Sequence, residues 1–171
     1  MKKIIYLLLV AVLSNCTPPS DPYFDAVLTN REGLFRGVEI KDGNAAVKKQ
    51  EQSAYLKVDE QVFLKYVYPF HPEKEEEDRY ELEYYFDGED QLHEVVMDIF
   101  IRDKQSANEL YEKLKKHYTR IYGEGKKNKE GYVVWKGKTA NTNRLEVALI
   151  NDSENSESTG YLSLQLNDFD Y

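Results

Sequence analysis

The strongest constraint on the fold of this chain is a run of near-strict alternation, Tyr80-Glu81-Leu82-Glu83-Tyr84-Tyr85-Phe86. Tyr80, Leu82, Tyr84 and Phe86 share one side of an extended strand, and the two glutamates share the other. Successive side chains of a strand point to opposite faces, so the pattern demands a sheet with one dry face and one wet face. Asp87-Gly88 then signals a turn, and Leu92 through Ile101 returns with Val95, Met97, Ile99 and Ile101 on one side and Asp98 on the other. The two runs form a hairpin.

Shorter β runs flank it. One covers Leu34 to Ile40 and ends in Asp42-Gly43; another lies within Ala54 to Tyr68, where Phe63 and Val67 face away from Leu64, Tyr66 and Tyr68, with a break around Asp59-Glu60 and an end at Pro69. Three more strands are predicted over Tyr132 to Lys136, Arg144 to Ile150 and Tyr161 to Leu166, and the polar stretch Asn151 to Gly160 reads as a solvated hairpin loop. A helix is predicted from Asn44 to Gln52. The best helix runs from Gln105 to Tyr122, with Ala107, Leu110, Tyr111, Leu114, Tyr118 and Ile121 on a single stripe. Ser106-Ala107-Asn108-Glu109 fits a capping box, Asp103 offers a slightly earlier start, and Gly123 ends the helix.

Both halves read as a helix followed by antiparallel strands. The expected fold is therefore α+β: an antiparallel β-sheet with helices packed on one face, forming a single domain over residues 31–171, with pseudo-repeats at 31–102 and 103–171. Aromatic residues at 13% and charged residues at 32% suit a folded body with a well-charged surface rather than a disordered tail.

The N-terminus is different. Met1-Lys2-Lys3 is a short basic start, and Ile4 through Leu13 is an apolar run too short to span a bilayer, which needs ~20 residues. It matches the basic and apolar regions of a secretory signal, so residues 1–15 are expected to be removed. A lone cysteine is ordinarily a small buried hydrophobe, but Cys16, the only one in the chain, lies between this leader and a proline-rich stretch, outside any core. The remaining readings of the leader are an ordinary cleaved signal, which leaves a free thiol, and an uncleaved anchor.

Leu13-Ser14-Asn15-Cys16 resembles the lipobox of bacterial lipoproteins, with an aliphatic residue three before the cysteine and a small one two before it. Asn15 departs from the Gly, Ala or Ser preferred just before the cysteine. The resemblance implies a diacylglycerol on the Cys16 thiol, cleavage before Cys16 and a membrane anchor of the stable, multi-chain kind. Thr17-Pro18-Pro19-Ser20-Asp21-Pro22 is expected to be an extended tether, with residues 16–30 as the lipidated cysteine and its linker. A non-acidic residue after the cysteine, here Thr17, resembles the pattern that directs lipoproteins to the outer membrane of a Gram-negative cell.

Losing Lys2 and Lys3 with the leader takes the formal charge from −8 to −10. So acidic a body has no electrostatic reason to seek nucleic acid or an anionic lipid surface. The membrane is then reached through the Cys16 anchor alone.

A second resemblance concerns the order of elements. Phe35-Arg36-Gly37-Val38 with Asp42-Gly43 and the helix carrying Val47, then Tyr122-Gly123 and Trp135, make the chain similar to the small lipoprotein subunit of the outer-membrane barrel-assembly machinery and, doubled, to the β-lactamase-inhibitor protein fold. Both families bind proteins and catalyse nothing, and that is the function the resemblance implies.

No catalytic constellation stands out. His71, His93 and His117 lie in separate elements without the spacing that puts two imidazoles on one helix face, and no metal or cofactor is expected. Asp87-Gly88-Glu89-Asp90 is shorter than a calcium loop and reads as a hairpin turn. No nucleophile elbow and no phosphate loop is present.

Two surfaces are candidates for a partner. Tyr85 cannot share the core face with Phe86, so with Val96 and Phe100 of the next strand it forms an apolar patch on the open face of the sheet, unless a segment near the N-terminus covers it. On the long helix, Glu109 with Lys113 and Glu112 with Lys116 form i, i+4 pairs, and Lys113, Lys116 and Arg120, with Lys126, Lys127 and Lys129 nearby, form a basic patch suited to an acidic partner. Glu73 to Asp78 reads as a solvated loop tip. The expected function is that of a lipid-anchored, non-enzymatic envelope protein that binds another protein; the alternatives are an envelope enzyme with an unfamiliar site and a carrier of a small apolar ligand in a closed cavity behind the sheet.

Overall fold

A computed structural model describes residues 21–29, 34–74, 78–156 and 159–169; Cys16 and its neighbours lie outside them. The core is one eight-stranded antiparallel sheet with three helices. Strands β1 (Leu56–Asp59), β2 (Phe63–Pro69), β3 (Arg79–Phe86) and β4 (Leu92–Ile101) form one meander, and β5 (Lys126–Lys127), β6 (Val133–Gly137), β7 (Leu145–Asn151) and β8 (Gly160–Asp168) form another. The strand order is β1-β2-β3-β4-β8-β7-β6-β5, so the last strands of the two meanders pair with each other. Helix α1 (Pro22–Leu28) precedes both meanders, α2 (Asn44–Gln50) leads into the first and α3 (Lys104–Tyr122) into the second. Helix-then-meander thus occurs twice, as the element order of the sequence suggests. A half-turn between β4 and β8 exchanges the strand positions of the two halves.

The hairpin forms in the register the alternation requires. Tyr80, Leu82, Tyr84 and Phe86 are buried, and they face the same layer as Val95, Met97, Ile99 and Ile101. On α3, Ala107, Leu110, Leu114 and Tyr118 are buried, as its stripe predicts, and Gly123 ends the helix with its N–H on the Thr119 carbonyl. Gly160 lets α3 sit down on β8, because a Cβ there would fall 2.3 Å from that of Ala107. Ile121 is a correction: it is half exposed. At the end of the helix Tyr122 turns inward instead, onto Gly137, where a Cβ would meet its ring at 2.6 Å. The capping box at Ser106 is not used either. Asp103 caps α3, accepting from the Gln105 and Ser106 N–H groups, and the Ser106 hydroxyl adds a third bond at 2.6 Å.

Three further differences concern the first half. The expected strand from Leu34 to Ile40 is a tight reversal with a single bridge between Phe35 and Val38. Arg36 and Gly37 at its centre have φ of 54° and 88°, the pattern of a two-residue hairpin turn. Within residues 16–30, expected as the lipidated cysteine and its linker, Pro22–Leu28 form a helix. Pro22 occupies the first turn of α1, where its missing N–H costs nothing, and Asp21 caps the helix through the N–H groups of Tyr23 and Phe24. Finally, Asp78 is buried rather than part of a solvated tip; its carboxylate accepts from the Tyr23 hydroxyl at 2.6 Å and the Arg102 N–H at 2.7 Å.

The unexpected centre of this half is a buried ion pair. Arg36 and Glu51 have 3% and 1% of their side chains exposed. Arg36 Nε and Nη2 donate to the two Glu51 oxygens at 2.9 and 3.1 Å, and the hydroxyls of Tyr84 and Tyr68 donate to the same oxygens at 2.6 and 2.7 Å. Arg36 Nη1 donates to the carbonyl oxygens of Ala26 and Val27 in α1, and its guanidinium lies about 5 Å over the Tyr68 and Tyr80 rings. Burial works to raise the Glu51 carboxyl, but Arg36 and the two phenols outweigh it and hold it below its ordinary value. One cluster therefore ties α1, the Phe35–Val38 turn, the end of α2, β2 and β3 together.

Removing one member of such a pair strands the other charge in the core. Glu51→Ala is expected to cost about 3–5 kcal/mol, measured by urea unfolding at neutral pH. Because the folded-state pKa of Glu51 is depressed, its contribution is complete above its ordinary value of 4.5 and fades as pH falls through the lower folded value, so the variant should lose that portion of the acid dependence.

Candidate functional site

The sheet has two faces, and the three helices occupy one. On the other, cross-strand neighbours cover one another. Register places Lys65 opposite Glu83, Val67 opposite Glu81, Glu83 opposite Val96 and Arg79 opposite Phe100, and continues across β4 to β8 with Asp98 opposite Ser163 and Val96 opposite Gln165. None of the described helices lies over this face. Helix α1, the described part of the N-terminal segment that the sequence allowed as a cover, packs on the opposite side in the helix layer, where it contacts α3.

The face is polar at its centre and aromatic at its margins. Lys65 Nζ lies 2.7 Å from Glu81 Oε2 and 2.9 Å from Glu83 Oε1, and Arg79 Nε donates to Glu81 Oε1 at 3.2 Å. The Tyr85 hydroxyl donates to Glu83 Oε2 at 2.6 Å, and that of Tyr161 to Asp98 Oδ1 at 2.8 Å. Aromatic contacts extend the network: Phe63 against Tyr85 at 5.0 Å, Phe100 against Tyr161 at 5.3 Å, and the Arg79 guanidinium 4.5 Å over the Phe100 ring.

The electrostatics follow from these contacts. Hydrogen bonds to Glu81 and Glu83 hold the Lys65 ammonium well above its ordinary value. Burial would raise Glu81, but Lys65 and Arg79 pull it down. Partial burial and the bond to Glu83 push the Tyr85 phenol up to about 12, and burial with Asp98 raises Tyr161 further. All these groups stay in their ordinary charge states at neutral pH. The arrangement suits pre-ordered donors, acceptors and rings for a partner surface, because side chains already locked by their neighbours lose little entropy on binding.

Tyr85, Val96 and Phe100 do share this face, as expected, but they do not form a continuous apolar patch. Glu83 lies beside Val96 and Tyr85, and Asp98 separates Val96 from Phe100 along β4. The sequence showed Glu81 and Glu83 as wet-side residues; their common partner, Lys65, comes from another strand and left no local signal.

The helical candidates lie on the other side of the sheet. Lys113 is ion-paired with Asp21, the cap of α1, rather than with Glu109, and Glu112 pairs with Lys115 at 3.6 Å rather than with Lys116. Lys116 and Arg120 are exposed on α3, and Lys126, Lys127 and Lys129 are exposed beyond its end. Between α1, the Phe35–Val38 turn and α3 runs an open groove of about 310 Å³, lined by Phe24, Leu28, Leu34 and Ile121 with His117 and Arg120. Two side chains along it, Thr29 and Tyr118, have buried hydroxyl oxygens without a hydrogen-bond partner among the described residues. Burial, and then Arg120, lower the His117 pKa, which keeps its imidazole neutral at pH 7.

The other ionisable clusters are accounted for by structure. Asp87 Oδ1 accepts from the N–H groups of Glu89 and Gln91, which makes Asp87-Gly88-Glu89-Asp90 the hairpin turn its sequence suggests. Asp90 reaches across to the Asn44 N–H, so it serves the start of α2, where Gly43 has no side chain to cap with. Among the described residues, no three His, Cys, Asp or Glu side chains gather as a metal site. Glu83→Gln, which removes the charge but keeps an acceptor, should lower the Tyr85 pKa from about 12 while burial holds it above its ordinary value of 10, read from the ring ¹³Cζ shift across an alkaline titration; an unchanged value would show that the Glu83 charge does not act on Tyr85 in solution.

Compared with known proteins, the chain matches no family model, no curated protein and no solved structure.

Proposed function

We propose that this protein is a lipid-anchored, non-enzymatic protein of a bacterial cell envelope that binds another protein through the open face of its sheet. The observation that carries this reading is the side-chain network on that face: Lys65, Glu81, Glu83, Tyr85, Asp98 and Tyr161 are cross-linked in fixed positions, with Phe63 and Phe100 packed beside them. Tyrosine, arginine and phenylalanine are the residue types that dominate binding energy at protein interfaces. The charged groups there are partnered with one another, which favours recognition over proton transfer. The carrier reading needs an enclosed cavity behind the sheet. That space is filled by Trp135, Tyr66, Tyr84, Leu82, Met97 and Leu114, all with 1% or less exposed.

The anchor is the lipid on Cys16, in keeping with the lipobox-like Leu13-Ser14-Asn15-Cys16 and the non-acidic Thr17, which favours the outer membrane. An acidic body without an apolar spanning helix among its described residues is held at the membrane by those acyl chains.

Two experiments test the two halves of the proposal. Cys16→Ser should move the protein from the membrane fraction to the soluble fraction; continued sedimentation with membranes would overturn the lipid anchor. Affinity capture of the intact protein from detergent-solubilised envelopes should recover a partner that is lost, by roughly tenfold or more, with Tyr85→Ala, a change at the margin of the network that removes a ring of the hot-spot type. Equal recovery with both forms would remove the open face from consideration.

A further inference from the structure

We infer that the groove between α1 and α3, with the exposed cations beside it, rests on the phospholipid bilayer that carries the anchor, so that the open face of the sheet points away from the membrane. This rests on the proposed lipidation of Cys16. The argument starts from where the folded body begins. From Asp21 onward the chain is pinned: the Asp21 carboxylate is ion-paired with Lys113 on α3, Tyr23 donates to Asp78, Phe24 packs on His117 at 5.8 Å, Val27 is fully buried, and Arg36 holds the carbonyls of Ala26 and Val27.

Four residues separate Cys16 from that fixed point. Whatever conformation they take, the five Cα-to-Cα steps from Cys16 to Asp21 reach at most about 18 Å. The fixed point lies in the helix layer, and a helix layer on a sheet is about 20 Å deep from its outer surface to the far side of the sheet. So short a connection favours an anchor on the helix side over one carried around the body to the open face. The bilayer meets the molecule on the side from which α1 emerges.

The chemistry of that side fits a headgroup region. Ile121 is 50% exposed, and Phe24 and Leu28 line the groove next to it, so an apolar strip faces outward. Arg120 and Lys116 are exposed beside the strip, and long cationic side chains set beside apolar surface place their charges among lipid phosphates while their stems stay on the apolar part. The body as a whole is acidic, so affinity comes from the acyl chains and orientation from this face. The exposed Ile121, which the core does not explain, acquires a role.

The test compares two positions on the intact lipidated protein. Cys16 is the only cysteine and its sulfur is consumed by the lipid, so a cysteine introduced elsewhere is a unique labelling site. Asp25→Cys places a fluorophore on the exposed side of α1, and Glu94→Cys places one on the open face. Each labelled protein is reconstituted into vesicles of phosphatidylethanolamine and phosphatidylglycerol containing a headgroup-attached nitroxide quencher. The label at 25 should lose most of its fluorescence while the label at 94 retains it. Equal quenching at the two positions, quenching at neither, or stronger quenching at 94 would overturn the inference. Intact mass of the same extracted protein reads the lipid on Cys16 separately. A mass without acyl chains overturns the proposed anchor; a lipidated protein with the wrong quenching pattern overturns the orientation alone.

Discussion

The bidentate pair between Arg36 and Glu51 is the joint on which the first half of the molecule depends. Arg36 sits at positive φ, a backbone conformation that costs a non-glycine residue about 1–2 kcal/mol, and it aims its guanidinium into the core. There it meets a carboxylate from the end of α2, two phenols from β2 and β3 and two carbonyls of α1. A buried pair of this kind adds little net stability over an apolar replacement, yet it tolerates only one arrangement of its partners. Here it sets the position of α1, a seven-residue helix too short to hold itself.

That position has consequences at both faces of the sheet. With α1 in the helix layer, it covers the core side, and among the described residues the opposite face is left to its own side chains. The pairing of β4 with β8 makes that face continuous across the two meanders, so Asp98 from one half and Tyr161 from the other are hydrogen-bonded within a single network. Both sheet edges are blunt. β1 is four residues long with an irregular register to β2, and β5 is two residues long, so strand addition at an edge has little backbone to use.

Much of the fold was legible in the sequence. The alternation of Tyr80 to Phe86 and of Leu92 to Ile101, and the stripe from Ala107 to Tyr118, each report which face of an element is dry, because the period of the apolar residues is the period of the backbone. The errors cluster where one residue type permits two structures. Three prolines within Thr17 to Pro22 predict an extended tether, but Pro22 also suits the first turn of a helix once Asp21 precedes it as a cap. Leu34 to Ile40 looked like a strand because Phe35, Val38 and Ile40 are apolar; all three are buried, but across a turn. Of the candidate site residues, Tyr85, Val96 and Phe100 lie on the face that the alternation assigns them, with Glu83 and Asp98 of the same strands between them, whereas Lys65, the partner of Glu83, comes from the neighbouring strand without a local signal.

By itself the sequence determined the antiparallel sheet with one wet side, the long amphipathic helix, the acidic net charge and the apolar run from Ile4 to Leu13. These are properties of periodicity and composition, which act over a few residues. Only the tertiary structure decided that Arg36 finds Glu51 fifteen residues on, that Lys113 pairs with Asp21 rather than with Glu109 one turn away, and that Tyr161 reaches Asp98 from the other half of the chain. Local pattern specifies the side toward which a charged group points, but its partner is whichever opposite charge the packed elements bring within reach. That is a property of the whole arrangement and of no single segment.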